Sequence, residues 1–126
     1  MKTERQQHEQ IETGLRRGWI VYLLHVEHPQ PLDFAKLLYL LDFYNHPLSF
    51  RQFGGKLEFL RSIGFIRVFP AGSEKALDSV EQAKLIQSYI ANDGDSGHKI
   101  CACLTSRGVN FQEGHFDEMG VLRVNG

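Results

Sequence analysis

Helical periodicity through residue 63, a second helical stretch after residue 73, and short apolar runs at 65–69 and 98–104 predict an α+β chain that is mainly α. The 126 residues are 42% hydrophobic and 23% charged, which suits one compact domain over 1–126 with a single core. Within it, residues 1–13 are expected to form an N-terminal helical arm and 114–126 an irregular, Gly-rich tail.

The first helix is expected over 4–26. Ile11, Leu15, Trp19, Leu23 and Val26 recur at three or four residues and predict one apolar face. Gly14 weakens its middle by roughly 1 kcal/mol relative to alanine, so Thr13 is an alternative cap for a helix that begins later. His28-Pro-Gln-Pro31 ends the helix, because the residue before a proline is pushed out of helical geometry. Asp33 caps a second helix reaching Tyr44, with Phe34, Leu37, Leu38 and Leu41 expected inside and Leu40 a further candidate. After the turn Asn45-His-Pro47, Ser49 opens a third helix over 50–63 that buries Phe53, Leu57 and Leu60. Gly64 stops it, and Phe65–Phe69 reads as a strand bounded by Pro70.

Three helices joined by short turns, the third leading directly into a strand, predict a winged helix-turn-helix with a small antiparallel β wing. Residues 71–97 are then an insertion. Ala76, Leu77, Val80, Ala83, Ile86 and Ile90 have helical spacing, which predicts a helix over 74–91 started by Ser73 and Glu74. A strand at Lys84–Ala91, giving a long wing hairpin, is the alternative. His98–Leu104 is expected to pair antiparallel with 65–69, and Thr105 to cap a short helix reaching Glu113.

The net charge of −1 argues against a protein that coats DNA or an anionic membrane indiscriminately. Locally the balance differs. Residues 48–72 carry Arg51, Lys56, Arg61 and Arg67 against Glu58, a net +3. Residues 73–97 carry Lys75 and Lys84 against Glu74, Asp78, Glu81, Asp93 and Asp95, a net −3. The polar start Met1–Gln10 has no signal-peptide core, and the apolar run Trp19–Val26 is too short to span a bilayer, so a cytoplasmic protein without a membrane partner is expected.

Two separated segments carry a family resemblance. One is Asn45-His-Pro-Leu-Ser-Phe-Arg51 with Leu57-Glu-Phe-Leu60 and Gly64-Phe-Ile66. The other is Ala102-Cys-Leu-Thr-Ser-Arg-Gly108 with Gly114 and Gly120-Val-Leu-Arg123. Over about residues 15–70 and 98–123 the chain resembles the small winged-helix proteins of Mu-like prophages of Gram-negative bacteria, loosely labelled ArsR-like regulators. The resemblance implies a phage-related DNA-binding protein acting in transcription regulation. The family wing is short, and residues 71–97 depart from it.

The candidate DNA-binding residues are Arg51, Gln52, Lys56, Arg61 and Arg67. Arg and Gln suit bidentate bonds to guanine and adenine edges in the major groove, and Lys suits a phosphate. Arg61 or Arg67 would add phosphate contacts; an ordinary solvated helix face gives the same pattern. Gly54-Gly55 costs the helix on the order of 1–2 kcal/mol, and close approach of DNA or of another helix would offset it. Duplex DNA is the expected partner, and a homodimer through the first helix is expected from Trp19 and the Gly14/Gly18 pair. The alternative is a winged-helix protein-protein interaction module without DNA binding, favoured by the near-neutral charge and acidic insertion.

His98, Cys101 and Cys103 lack the four convergent ligands of a zinc site, with the two thiols on one side of a strand and His98 on the other, and buried thiols in a core strand are expected. No nucleophile–base pair, paired carboxylates or phosphate cradle stands out. No catalysis, cofactor, metal or small-molecule substrate is expected.

Overall fold

The computed structural model describes residues 3–73 and 75–125. Glu74, expected to help start the inserted helix, lies outside the described residues, as do the first two residues of the arm and the last of the tail.

Helix α1 runs unbroken over Glu4–Glu27. Thr3 and Gln6 form a reciprocal capping box, in which Thr3 Oγ1 accepts from Gln6 N and Gln6 Oε1 accepts from Thr3 N at 2.9 Å. This cap fixes the start at the earlier threonine, and Gly14 does not interrupt the helix. Strand β1 (Leu32–Asp33) follows, and Asp33 then caps α2 (Phe34–Phe43) by accepting from Lys36 N at 2.8 Å. Ser49 caps α3 (Phe50–Ser62) through a second capping box with Gln52. Gly64, at φ +81°, supplies the left-handed residue that turns α3 into β2 (Ile66–Pro70).

The inserted segment is helical but shorter than its apolar pattern suggested. Helix α4 spans Ser79–Ala91, started by a third capping box between Asp78 and Glu81. It buries Ile86 and Tyr89, whereas Val80, one of the residues at apolar helical spacing, is 63% exposed. A 3-10 turn at Gly97–Lys99 takes up His98, so β3 is confined to Ile100–Leu104. Thr105 caps α5 (Ser106–Gln112), its side chain accepting from Gly108 N.

β3 is the central strand of an antiparallel sheet ordered β1-β3-β2. Leu32 lies opposite Ala102, and Ile66 to Pro70 lie opposite Leu104 to Ile100 in turn. The outer edge of β2 is closed by α4, where Gln82 Oε1 accepts from Val68 N at 3.0 Å. The result is an α+β, mainly helical chain whose five described helices and small sheet are compatible with a winged helix. One hydrophobic core joins α1, α2, α3, α4, α5 and the sheet, centred on Leu24, Phe34, Phe53, Leu57, Phe65 and Phe111.

The inward face of α1 is rotated from the predicted one. Gly14, Gly18, Ile20, Val21, Leu23 and Leu24 are buried, while Ile11 and Val26 are exposed. The reason is the C-terminal segment, which crosses α1 at the glycines. Leu122 N donates to Gly14 O at 3.0 Å, and a methyl at Gly18 would overlap the Leu122 carbonyl. The glycine pair therefore serves a contact within the chain rather than the dimer interface expected of it.

The described tail residues, 114–125, hold no helix or named strand, yet they are firmly seated. Val121 and Val124 are buried, and Arg123 donates to the carbonyls of Phe111 at 2.7 Å and Phe116 at 2.6 Å.

Candidate nucleic-acid interface

Phe53, Leu57 and Leu60 hold α3 in the core, so its orientation follows from its apolar spacing. Arg51, Gln52, Gly55 and Ser62 are left exposed on the far side. Arg51 projects into solvent. Gln52 is partly committed, because its Oε1 accepts from Ser49 N at 3.0 Å within the capping box. A bidentate bond to adenine requires that oxygen as well as the amide, so Gln52 would have to give up the cap to make one.

Helix α4 covers one flank of α3. A methyl at Gly54 would overlap Ile90 of α4, so the close approach of another helix explains this glycine; Gly55 has no neighbour within 4 Å. On the same flank Arg61 makes a bidentate pair with Glu58 and donates to Ser79 Oγ at 2.8 Å. Its side chain is only 12% exposed, and the hydrogen bond with Glu58 raises its already high pKa. Arg61 ties α3 to α4 and does not reach a phosphate without losing those partners. Arg67 is exposed on β2, with its guanidinium 4.8 Å from the Phe69 ring and beside the Cys103 thiol. It stands on the sheet, apart from Arg51, Gln52 and Lys56.

The other flank of α3 is cationic. Lys56 is half-buried, and burial first, then Arg17 and Arg16 of α1, hold its ammonium below the usual lysine pKa. Arg17 stacks its guanidinium 3.6 Å above the Phe59 ring and donates to Gly120 O at 3.1 Å. Arg16 pairs with Glu12 at 3.2 Å. Beside Arg16, His46 packs 4.9 Å from the Trp19 ring, and burial, followed by the Arg16 charge, lowers its pKa. The α1 arginines were not among the predicted site residues. Their signal was an adjacent basic pair followed by Trp19.

Comparison with protein-family models, curated proteins and solved structures found no match to this chain.

Arg107 donates to Ile63 O at 3.0 Å and to Glu118 at 2.8 Å, closing α5 against the end of α3. Cys103 is buried and Cys101 half-buried, both free, and burial raises both thiol pKa values. Among the described residues no three His, Cys, Asp or Glu side chains gather as metal ligands, and no helix is long and apolar enough to cross a membrane.

Proposed function

We propose that this chain is a winged-helix protein of prophage type that binds duplex DNA through α3 and acts as a transcriptional regulator in the cytoplasm, with no catalytic role. The observation that carries this reading is the exposed Arg51–Gln52–Gly55 face bordered by Lys56, Arg16 and Arg17. Arg51 is the base-reading residue, the free amide of Gln52 a single donor beside it, and Lys56 a phosphate contact. Arg67 is a phosphate contact only if the duplex extends over the β2 edge. Arg61 drops out of the contact set, because Glu58 and Ser79 occupy its donors.

The test is a salt-titrated binding assay on a pool of duplexes. Wild-type protein should bind with an affinity that falls as salt rises, and Arg51→Ala should bind more weakly and with relaxed sequence preference. A wild-type protein with no salt-dependent binding to any duplex would end this reading.

A protein-interaction module is the second reading, and a different surface favours it. Leu38, Tyr39, Pro47, Leu48, Phe50 and Tyr89 line an open groove of about 380 Å³ between α2 and the start of α3. Tyr39 and the neighbouring Phe43 are 66% and 68% exposed. Tyr39→Ser with Phe43→Ser should leave DNA affinity unchanged under the first reading. Under the second, wild-type protein binds no DNA.

A further inference from the structure

We propose that the facing sides of α1 and α3 form a phosphate seat, in which Arg16, Arg17 and Lys56 together hold one anionic phosphate group. Arg16 and Arg17 stand close enough to Lys56 for their charges to act on its ammonium, and the one described carboxylate paired with either arginine is that of Glu12, on Arg16. Lys56 makes no ion pair among the described residues, and its two cationic neighbours repel it. Both arginines keep an unpaired donor: their Nε groups are shut from solvent with no acceptor among the described residues. Like charges are costly to hold together, and an anion bound at the outer guanidinium nitrogens and the Lys56 ammonium offsets their repulsion.

The seat is also pre-ordered, which lowers the entropy lost on binding. Arg17 is clamped between the Phe59 ring and the Gly120 carbonyl, and Arg16 is steadied by Glu12. Planar guanidinium groups match phosphate oxygens in pairs, and Lys56 adds a point charge from α3. Phosphate rather than carboxylate is the fitting ligand, because one group must offer oxygens to three separate donors. Two sources share this chemistry: a backbone phosphodiester of nucleic acid, and a free phosphate or pyrophosphate. Its position one helical turn from Gln52 assigns the seat to a backbone phosphate of the duplex along α3. That assignment rests on the DNA-binding reading, whereas the seat itself does not.

The experiment has two arms, both on the full chain. In the first, inorganic phosphate and pyrophosphate are titrated at constant ionic strength against chloride. The NMR signals of the Lys56 ammonium and the Arg16 and Arg17 guanidinium groups are followed. Saturable shifts in wild type, lost in Lys56→Met and in Arg16→Gln, are expected; removing Lys56 also removes a repelled cation, so Lys56→Met should melt no lower than wild type. In the second arm, duplex binding by Lys56→Met should show a salt slope flatter by about one unit. Absence of phosphate shifts together with an unchanged slope overturns the seat while leaving DNA binding through Arg51 intact. Phosphate shifts in a protein that binds no duplex sustain the seat for a free anion and overturn its assignment to DNA.

Discussion

Gly18 and Gly55 both lie on helices, yet an alanine at each should move stability in opposite directions. At Gly18 the methyl meets the Leu122 carbonyl, which is backbone and already anchored by the Leu122–Gly14 hydrogen bond. Overpacking there should cost about 1–3 kcal/mol. At Gly55 nothing lies within 4 Å, so Gly55→Ala should stabilise by roughly 0.5–1 kcal/mol through helix propensity. Urea unfolding of both variants checks this. If Gly55→Ala stabilises the fold and weakens DNA binding, close approach of the duplex is what keeps that glycine. Tyr89 gives a residue-scale prediction in pH. Burial pushes its phenol up to about 12, so the folded state holds the proton after the unfolded chain has lost it. The stabilisation is complete below the unfolded value near 10 and is lost as pH rises toward 12. Tyr89→Phe should move the alkaline unfolding midpoint to higher pH, and an unmoved midpoint would mean that Tyr89 titrates as it does when exposed.

At the scale of elements, α4 shows what pattern reading catches and what it misses. The apolar spacing announces a helix, and the helix is there; its start and its buried stripe differ. Asp78-Ser-Val-Glu81 is a capping box legible in the sequence, and it sets the first turn five residues later than Ser73 and Glu74 suggested. With that start, Val80 points to solvent, and Gln82, Leu85, Ile86, Tyr89 and Ile90 make the inward side. The consequence is testable with proline. Glu81 N is bonded to the Asp78 side chain rather than to a carbonyl of the preceding turn, so Glu81→Pro should cost only about 1 kcal/mol, the worth of the cap. Lys84 lies in the interior of α4, and Lys84→Pro should cost about 3 kcal/mol or more. Equal losses in thermal melts would mean that the helix begins earlier than Ser79. β1 was not foreseen, because two residues are too few for a period-two pattern and pair only once β3 is beside them.

For the whole molecule, the C-terminal segment is the piece that closes the fold. Removing 119–126 strips Val121 and Val124 from the core and deprives the Phe111 and Phe116 carbonyls of Arg123. A loss of about 3 kcal/mol or more is expected from the two valines alone, read as a lower denaturant midpoint. The truncated chain should also bare Gly14 and Gly18, so any dimer through α1 should form only after truncation; sedimentation of both forms checks this. The exposed stretch Thr3–Ile11 extends beyond that contact as the cap and first turns of α1.

The sequence by itself determined the helix caps at Asp33, Ser49 and Thr105, the stop at Gly64 and the inward side of α3. These depend on interactions reaching three or four residues along the chain, or on apolar spacing strong enough to leave one choice. Only the tertiary structure decided which side of α1 is buried, what approaches Gly54, where Arg61 finds its partners, and that Arg16 and Arg17 stand beside Lys56. Each of these is set by contact between segments far apart in sequence. Helical spacing fixes which residues share a face, but not which neighbour meets it.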